Sequence, residues 1–371
     1  MTRTRKTIVL LPGDGIGPEV LSAAAAVLRD CGGEFGHQFT MVEYPVGGTA
    51  LERCGNALPQ ETLNACRAAD AILLGAVGGP RWDVLPLPQR PESALLRLRR
   101  ELNLYINLRP IRLRESLGGV SPLRPARSRS IDLEIVRELA GGIYFGEHRT
   151  ERSNGTERAF DVEVYSTAEV ERVARFAFRC AAARRNQLVS VDKANVLATS
   201  ALWRKTVGRV AHEFPRVALT HMYVDNAALQ LVVAPQQFDV IVASNMFGDI
   251  LSDAAAGLVG SIGLIPSLSC GDGPPLLEPI HGSAPQLAGQ DRASPLGAIL
   301  SAGMLLRDVF GLQIEADWIE AGIDCVLRGG YRTADLAEAG STVVTCSEFT
   351  QRLRHELRDS VRESEAYGWG V

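Results

Sequence analysis

Residues 6–29 read KTIVLLPGDGIGPEVLSAAAAVLR, a short apolar run followed by a turn and a helical pattern. The run Thr7–Leu11 has the length and composition of a buried β-strand, and the Pro-Gly-Asp-Gly sequence after it favours a tight turn. Pro18 suits the first turn of a helix, where a missing N–H costs no hydrogen bond, and we expect that helix to end near Arg29. A strand joined to a helix in this way is typical of the α/β class.

The glycines of this turn, Gly13, Gly15 and Gly17, follow the spacing G-x-G-x-G. The dinucleotide fingerprint of Rossmann folds is G-x-G-x-x-G with an acidic residue about 20 positions later, and that residue is not clearly placed here. A close strand-to-helix connection therefore explains the glycines better than a Rossmann nucleotide site does. The P-loop pattern G-x-x-x-x-G-K-[ST] does not occur in the sequence.

The alternation of short apolar runs with amphipathic segments continues along the chain. Thr167 is a candidate N-terminal cap for the helix that follows it. The stretch 118–130 is rich in Ser, Pro and Arg and predicts a surface loop. We predict strands at 71–75, 104–108, 131–136, 188–191, 217–220 and 239–244, and helices at 91–102, 167–184, 197–214, 248–258, 294–310, 318–327 and 347–364.

Composition limits the class of protein. The chain has 371 residues, of which 46% are hydrophobic and 22% charged, with a net charge of −4. This is enough for roughly two domains and excludes a disordered chain, and the slight acidity argues against nucleic acid as the main partner. No apolar run approaches the roughly 18–20 residues of a membrane span, and the N-terminal sequence lacks a signal-peptide pattern. The seven scattered cysteines, without C-x-x-C spacing, favour reduced thiols in the cytoplasm over disulfides or zinc.

Lysine is rare: only three of the 39 basic residues are lysines, and the other 36 are arginines. Lys193 follows the strand predicted at 188–191, and the end of such a strand is where open α/β sheets bind their ligands. Unlike arginine, a lysine held near a metal can lose its proton and act as a base. The alternative is an ion pair with Asp192 or another neighbour. Lys205 lies among polar residues in the middle of a predicted helix, which indicates a solvated position.

Two aspartates share one helix face. Asp249 and Asp253 lie four residues apart in GDILSD, so their carboxylates project to the same side of a helix that we expect to begin near Gly248. A solvated helix face is one explanation. With a third carboxylate from Asp225, the set of oxygen ligands would suit Mg²⁺ or Mn²⁺ better than zinc.

Tyr144 lies in GGIYFGE, where the flanking glycines free the backbone to direct the phenol, although packing over a turn is an equal alternative. Arg99, Arg109 and Arg137 are three arginines among many, and a cluster of such guanidinium groups would bind carboxylates.

Eight motifs together carry a resemblance. They are GDGIGPEV (13–20), LLGAVGGPRW (73–82), LNLYINLRP (102–110), VRELAGGIYFGE (136–147), VDKANVL (191–197), YVDNAALQLV (223–232), GDILSD (248–253) and EPIHGSAP (278–285). Their order strongly resembles the isocitrate/3-isopropylmalate dehydrogenase family, over about residues 6–355, and is most similar to its isopropylmalate branch.

The resemblance implies an α/β fold of the isopropylmalate dehydrogenase type, which is a two-domain fold and not a Rossmann fold. The first domain would be discontinuous, formed by residues 1–104 and 260–371, with residues 105–259 inserted as a second domain that carries the substrate, metal and dimer-interface regions. It also implies a homodimer whose active sites are shared between subunits.

The resemblance further implies NAD-linked oxidation and decarboxylation of (2R,3S)-3-isopropylmalate to 4-methyl-2-oxopentanoate, in leucine biosynthesis. Lys193 from the partner would be the base and Tyr144 the acid. Asp225, also from the partner, would bind substrate and share Mg²⁺ or Mn²⁺ with Asp249 and Asp253. The remaining substrate contacts implied are Arg99, Arg109, Arg137, Glu92, Leu95 and Leu96, and the cofactor contacts are Ile16, Glu278, His281, Gly282, Ser283, Ala284, Gln286 and Ser294.

Departures from the family pattern leave alternatives open. Gln286 stands where NAD-dependent members carry an aspartate, and Ser294 where they carry an asparagine. With Arg292 nearby, these changes leave NADP open as a cofactor. Leu95 and Leu96 suit an isopropyl group, yet D-malate, tartrate or a specialised-metabolite intermediate stays open as the substrate, because a methylene-scale difference is worth only about 1–3 kcal/mol. A non-catalytic regulatory subunit is a further possible function of the chain.

Overall fold

The computed structural model describes residues 3–128 and 131–366, so residues 1–2 and 367–371 of the expected first domain lie outside it. The strands are β1 (Arg5–Gly13), β2 (Gln38–Glu43), β3 (Ala71–Ala76), β4 (Leu104–Arg112), β5 (Asp132–Glu138), β6 (His148–Ser153), β7 (Thr156–Asp161), β8 (Gln187–Asp192), β9 (Ala218–Tyr223), β10 (Val240–Ala243), β11 (Pro266–Gly271), β12 (Leu276–Pro279), β13 (Tyr331–Arg332) and β14 (Thr342–Val343). The α-helices are α1 (Gly17–Phe35), α2 (Gly47–Cys54), α3 (Gln60–Ala68), α4 (Glu92–Glu101), α5 (Pro125–Ser128), α6 (Thr167–Ala183), α7 (Ala198–Ala211), α8 (Val224–Val233), α9 (Asn245–Leu258), α10 (Leu296–Met304), α11 (Gln313–Arg328) and α12 (Cys346–Ala366).

A ten-stranded sheet forms the centre of the molecule, with the strand order β2-β1-β3-β12-β11-β4-β5-β10-β8-β9. The α/β class predicted from the sequence is therefore confirmed. One half of the sheet is parallel around β1, the other is parallel around β10, and the antiparallel strands β11, β4 and β5 lie between them. The pairing of β11 with β4, which includes Leu268 opposite Leu108, joins the two halves into one continuous hydrogen-bonded sheet.

The connection from β1 to α1 is as tight as the glycine spacing predicted. Gly13 has φ 72°, and a Cβ at this position would lie 1.9 Å from the carbonyl oxygen of Ala76. Only glycine tolerates both the left-handed backbone and that approach. Helix α1 begins at Gly17 and places Pro18 in its first turn, and it continues beyond the expected Arg29 to Phe35. Its buried face packs on α10 and on the sheet.

Several local predictions need correction. The cap of α6 is Ser166, not Thr167, because Ser166 and Glu169 form a reciprocal capping box. Helix α9 begins at Asn245 rather than near Gly248. The expected loop 118–130 contains the short helix α5, and residues 129–130 of that prediction lie outside the described residues. The helix expected at 294–310 divides into α10 and a π-helical turn at Leu305–Val309.

The segment 148–161 forms the hairpin β6–β7, which periodicity did not predict. Asn154 and Gly155 occupy its turn with φ 50° and 75°, the backbone that an Asn-Gly hairpin turn requires. Among the described residues, no helix is both long and apolar enough to cross a membrane.

Candidate active site

Two arginines and two aspartates meet beside the antiparallel strands β4 and β5. Arg109 lies on β4 and Arg137 on β5, and both side chains are buried. Arg109 is 3.3 Å from Asp249 and 3.3 Å from Asp253, which project from successive turns of α9. Arg137 also donates to Asp249. Two of the three sequence-predicted arginines and both predicted aspartates of α9 thus form one cluster.

Burial shapes the electrostatics of this cluster. It lowers the pKa of Arg109, and it lowers that of Arg137 to about 9 with further repulsion from Arg109. Burial also raises the pKa of Asp253, against the opposing effect of Arg109. The cluster therefore concentrates poorly solvated charges of both signs, an arrangement that a dianionic substrate and a cation would complete.

Neutral side chains orient the two guanidinium groups. Asn107 accepts from Arg109 Nε at 2.7 Å, and Ser252 accepts from Arg109 Nη1 at 2.6 Å. Asn245 accepts from Arg137 Nε at 2.9 Å. Sequence reasoning missed these three supports. Their spacing was a usable signal, since Asn107 precedes Arg109 by two residues on one strand face and Asn245 precedes Asp249 by one helical turn.

Tyr144 joins the cluster. Its hydroxyl donates to Asp249 Oδ2 at 3.1 Å, and the guanidinium of Arg137 lies 5.7 Å from the centre of its ring. Burial, with the charge of Asp249 and the bond to it, raises the pKa of the phenol. Tyr144 is thus a protonated hydroxyl directed at the carboxylates, so the alternative of an aromatic that only packs over the turn does not describe it.

Arg99 is buried at the end of α4 and donates to Glu278 at 2.9 Å, which places a predicted substrate residue against a predicted cofactor residue. Its Nε is buried without a hydrogen-bond partner in the described chain, so it retains donor capacity. On the preceding turns of α4, Leu95 and Leu96 are half-buried and Glu92 is exposed. Glu92 lies against the backbone at Gly78, since a Cβ there would be 2.2 Å from Glu92 Oε1.

Lys193 and Asp225 form a separate pair. Lys193 Nζ donates to Asp225 Oδ1 at 2.7 Å, and this lysine holds the pKa of Asp225 below its ordinary value. The neighbour Asp192 pairs instead with Arg204. Within one described chain the three predicted metal aspartates do not converge. Among the described residues, the His, Cys, Asp or Glu side chains that lie together within 4.8 Å as a group of three are instead Glu19, Asp291 and Cys346.

The loop predicted to contact the cofactor lies against the turn after β1. The N–H of Ile16 donates to Ser283 O at 2.8 Å, which joins two of the predicted cofactor residues. Burial lowers the pKa of His281, whose Nε2 is buried without a partner among the described residues. Ala284 adopts a left-handed backbone with φ 37°, and a Cβ on Gly282 would meet no atom within 4 Å.

The two departures from the family pattern occupy different environments. Gln286 is exposed, whereas Ser294 is buried with an Oγ that lacks a partner in the described ranges. Arg292 is exposed.

Asp14 is a structural carboxylate that sequence reasoning also missed. It is buried and accepts the N–H groups of Gly48, Thr49 and Gly78, each at 2.8 Å. It thereby fixes the N-terminus of α2 and the backbone that faces Glu92. Its position between two glycines of the first turn was the available signal.

The sequence of the chain matches a known protein family and its members. The family model described as isocitrate/isopropylmalate dehydrogenase matches residues 7–353. The chain is 53% identical over 358 residues to 3-isopropylmalate dehydrogenase of Bacillus licheniformis, covering 96% of each chain. It is 52% identical over 362 residues to 3-isopropylmalate dehydrogenase of Bacillus subtilis, covering 96% of this chain and 97% of the relative.

A solved structure agrees. The crystal structure of isocitrate dehydrogenase from Methylococcus capsulatus superposes with a TM-score of 0.86 at 33% identity, covering 95% of this chain and 99% of that one. The α/β fold expected from the eight motifs is confirmed, and the chain belongs to the isocitrate/isopropylmalate dehydrogenase family.

Proposed function

We propose that this protein catalyses the NAD-linked oxidative decarboxylation of (2R,3S)-3-isopropylmalate to 4-methyl-2-oxopentanoate, in leucine biosynthesis. One observation carries the proposal: Arg109, Arg137 and Tyr144 all contact the carboxylate of Asp249. Carboxylate binders, a proton donor and a cation ligand therefore converge. The relatives named 3-isopropylmalate dehydrogenase, at 53% and 52% identity over nearly the whole chain, support the same function.

The residues of α9 fit a divalent cation. The Asp253 carboxylate is 53% exposed and the Asp249 carboxylate 31% exposed, so both retain accessible oxygens. A partly desolvated pair of carboxylates is stabilised by a cation, and oxygen ligands suit Mg²⁺ or Mn²⁺. We propose that Asp225 of a second subunit completes the set, because it does not join the other two within one chain.

The loop at 281–286 fits NAD. His281 Nε2 and Ser294 Oγ are buried polar atoms without partners in the described chain, and open space adjoins Gly282. Such a site has hydrogen-bonding capacity that a ligand can satisfy. Gln286 is neutral and would not repel a 2′-phosphate, so we propose NAD as the main cofactor with weak discrimination against NADP.

The side chains then have defined tasks. When bound, the divalent cation supplies Lewis acidity and NAD accepts the hydride. The oriented guanidinium groups of Arg109 and Arg137 hold the carboxylates of the substrate. Lys193 of the second subunit takes the proton of the C2 hydroxyl as hydride leaves C2. Cleavage of the bond between C3 and its carboxylate releases CO₂ and leaves an enolate, and Tyr144 donates a proton to C3.

A homodimer is part of the proposal. Helices α8 and α9 pack on each other and leave Leu229, Val232, Val233 and Ile250 41–58% exposed. An exposed apolar patch of this kind suits a protein interface. Burial of this patch between two subunits would also bring Lys193 and Asp225 of one chain to the arginine cluster of the other, which is the arrangement that the chemistry requires.

The proposal also covers the division into domains and the location in the cell. We propose that residues 1–104 with 260–371 form one domain and 105–259 the other. In support, one buried apolar cluster, which includes Val9, Leu63 and Leu98, draws every member except Leu139 from the first of these domains. We propose a cytoplasmic location, supported by the seven cysteines, all of which are free thiols.

Turnover of the purified protein on 3-isopropylmalate, D-malate and tartrate with Mn²⁺ tests the activity. We expect NADH formation with 3-isopropylmalate to exceed that with the others, because Leu95 and Leu96 offer apolar contact and no partner for another polar group. Negligible isopropylmalate turnover with either nicotinamide cofactor would overturn the proposal. Metal-dependent turnover by the homodimer alone would exclude a regulatory subunit.

A further inference from the structure

Glu138 is a buried carboxylate to which the proposed chemistry gives no task. It ends β5, directly after Arg137, and its side chain is fully buried. Oε1 accepts the N–H of Ala140 at 3.0 Å, and Oε2 accepts the N–H of Gly141 at 2.8 Å. The nearest basic group, Arg172 Nη2, is 3.8 Å away, beyond hydrogen-bond distance. Both oxygens therefore bind the backbone of the turn that leads to Tyr144.

The ring of Tyr165 packs against the same turn. A Cβ on Gly141 would lie 2.9 Å from Cε1 of that ring, and a Cβ on Gly142 would lie 2.4 Å from its hydroxyl oxygen. Gly142 also has φ 75°, a backbone that other residues rarely adopt. The turn is thus confined between the carboxylate of Glu138 and the phenol of Tyr165. Because Tyr144 is two residues beyond Gly142, a shift of the turn moves its phenol.

Asn245 connects the turn to the active site. Its backbone N–H donates to the Tyr165 hydroxyl at 2.9 Å, and its Nδ2 donates to Gly141 O at 2.9 Å. Its Oδ1 accepts from Arg137 Nε at 2.9 Å. Asn245 is also the first residue of α9, four residues before Asp249. The turn, the substrate-binding arginine and the cation-binding helix are therefore held by one buried network.

The charge on Glu138 is costly where it lies. Burial raises its pKa to about 7, although the N–H groups of Gly141 and Ala140 and the charge of Arg172 oppose the shift, and Glu169 adds to it. The Tyr165 hydroxyl is the remaining titratable group that faces it. A neutral side chain would avoid this cost but would not offer two acceptor oxygens to adjacent N–H groups.

We propose that Glu138 is a positioning residue for Tyr144: its carboxylate fixes the backbone at Ala140 and Gly141 and so holds the phenol against Asp249. The inference rests on the proposed function, in which Tyr144 is the proton donor. Glu138 touches neither substrate nor cofactor in this role, and it acts only through the turn.

A double-mutant cycle of Glu138→Gln and Tyr144→Phe tests this role. Glutamine keeps the shape of the side chain but only one acceptor oxygen, so one N–H loses its bond. We expect Glu138→Gln to lower kcat by about 10-fold or more, with the substrate KM changed by less than about threefold. In the Tyr144→Phe background the same substitution should cost almost nothing further. Independent, multiplicative losses would overturn the proposal.

Glu134→Gln is the matched control. Glu134 lies on the same strand, four residues before Glu138 and away from the turn, and it is largely buried and pairs with Arg184 at 3.2 Å. Its substitution should leave kcat unchanged. If Glu138→Gln does not fold, Glu138→Asp replaces it in the cycle, because aspartate keeps both oxygens but is one methylene shorter.

A crystal structure of Glu138→Gln gives a readout that does not depend on activity. We expect the Tyr144 hydroxyl to be displaced from Asp249, and an unchanged position would overturn the proposal. If the wild-type protein shows no turnover on any 3-substituted malate, the proposed function fails, yet this comparison still decides whether Glu138 positions the phenol.

Discussion

The hydroxyl of Tyr144 lies 3.1 Å from Oδ2 of Asp249, so the proposed proton donor is hydrogen-bonded to a proposed cation ligand. The same carboxylate accepts from Arg137 and lies 3.3 Å from Arg109. Asp249 is therefore the common partner of the groups proposed to bind the substrate and the group proposed to protonate it. A cation held by Asp249 would withdraw charge from the phenol's partner and favour release of the proton toward the substrate.

Tyr144→Phe removes the proton donor and keeps the ring. We expect kcat to fall by about 10²–10⁴-fold, the range for loss of a general acid, because no other described hydroxyl donates to the carboxylate of Asp249. Binding of Mn²⁺, measured by calorimetry, should change little, since the carboxylates remain. Tyr331→Phe, at a ring packed under Arg352 3.8 Å away, is the control. A kcat near that of the wild type would show that the phenol is not the acid.

Local sequence information accounts for much of this fold. The turn of Gly13, the strands at 71–75, 104–108, 131–136, 188–191, 217–220 and 239–244, and the long helices were predictable, because steric limits and periodicity act over a few residues. The hairpin β6–β7 was missed because its residues are polar and mostly exposed, which leaves only Asn154-Gly155 as a signal. Strand β2 was missed for the same reason: it lies at the edge of the sheet, and none of its residues is buried.

The active site also contains residues that the sequence predicted and residues that it did not. Motif order pointed to Arg109, Arg137, Tyr144 and the aspartates of α9, which the structure brings together. It did not reveal Asn245 or Glu138 as supports. The spacing of Asn245 from Asp249 by one helical turn was a signal, but its bond with Arg137 depends on how β5 and α9 pack in three dimensions. Glu138 binds backbone N–H groups only two and three residues later, in a turn whose conformation also depends on the packing of Tyr165.

Lys193→Arg tests whether the rare lysine is the base. Arginine keeps the positive charge and the attraction to Asp225, which lies 2.7 Å from Nζ, but does not give up a proton near neutral pH. We expect kcat to fall by at least about 10²-fold while the melting temperature stays within a few degrees. Lys205→Arg, at an exposed position on α7, should have no effect on either quantity. Near-normal turnover by Lys193→Arg would exclude the lysine as the base.

Shared active sites can be tested by subunit complementation. Lys193→Arg and Asp253→Asn homodimers should each be inactive. In a heterodimer of the two, both substitutions meet in one site and the other site has neither, so co-expression should restore about a quarter of wild-type activity at random assortment. Activity no higher than the sum of the two inactive homodimers would place Lys193 and Asp253 in the same subunit's site.

Gln286→Asp tests cofactor discrimination. Gln286 is exposed in the loop after His281, and a carboxylate there would repel the 2′-phosphate of NADP. We expect the ratio of kcat/KM for NAD to that for NADP to rise by about 10-fold or more. Gln290→Asp adds the same charge at a neighbouring exposed position and should leave the ratio nearly unchanged. Equal changes in both variants would mean that the position of the charge is immaterial.

Glu138 also makes a prediction about stability and pH. Its pKa is about 7 in the folded chain against an ordinary value of 4.5. Between these values the folded state binds a proton that the unfolded state lacks, so the free energy of unfolding falls as pH rises through this window, by at most about 1.4 kcal/mol per pH unit. Glu138→Gln lacks this proton. The unfolding free energy of the wild type minus that of the variant should therefore be larger at pH 5 than at pH 8, as measured by urea denaturation. A difference that stays constant with pH would mean that the Glu138 carboxyl keeps its ordinary pKa in the folded protein.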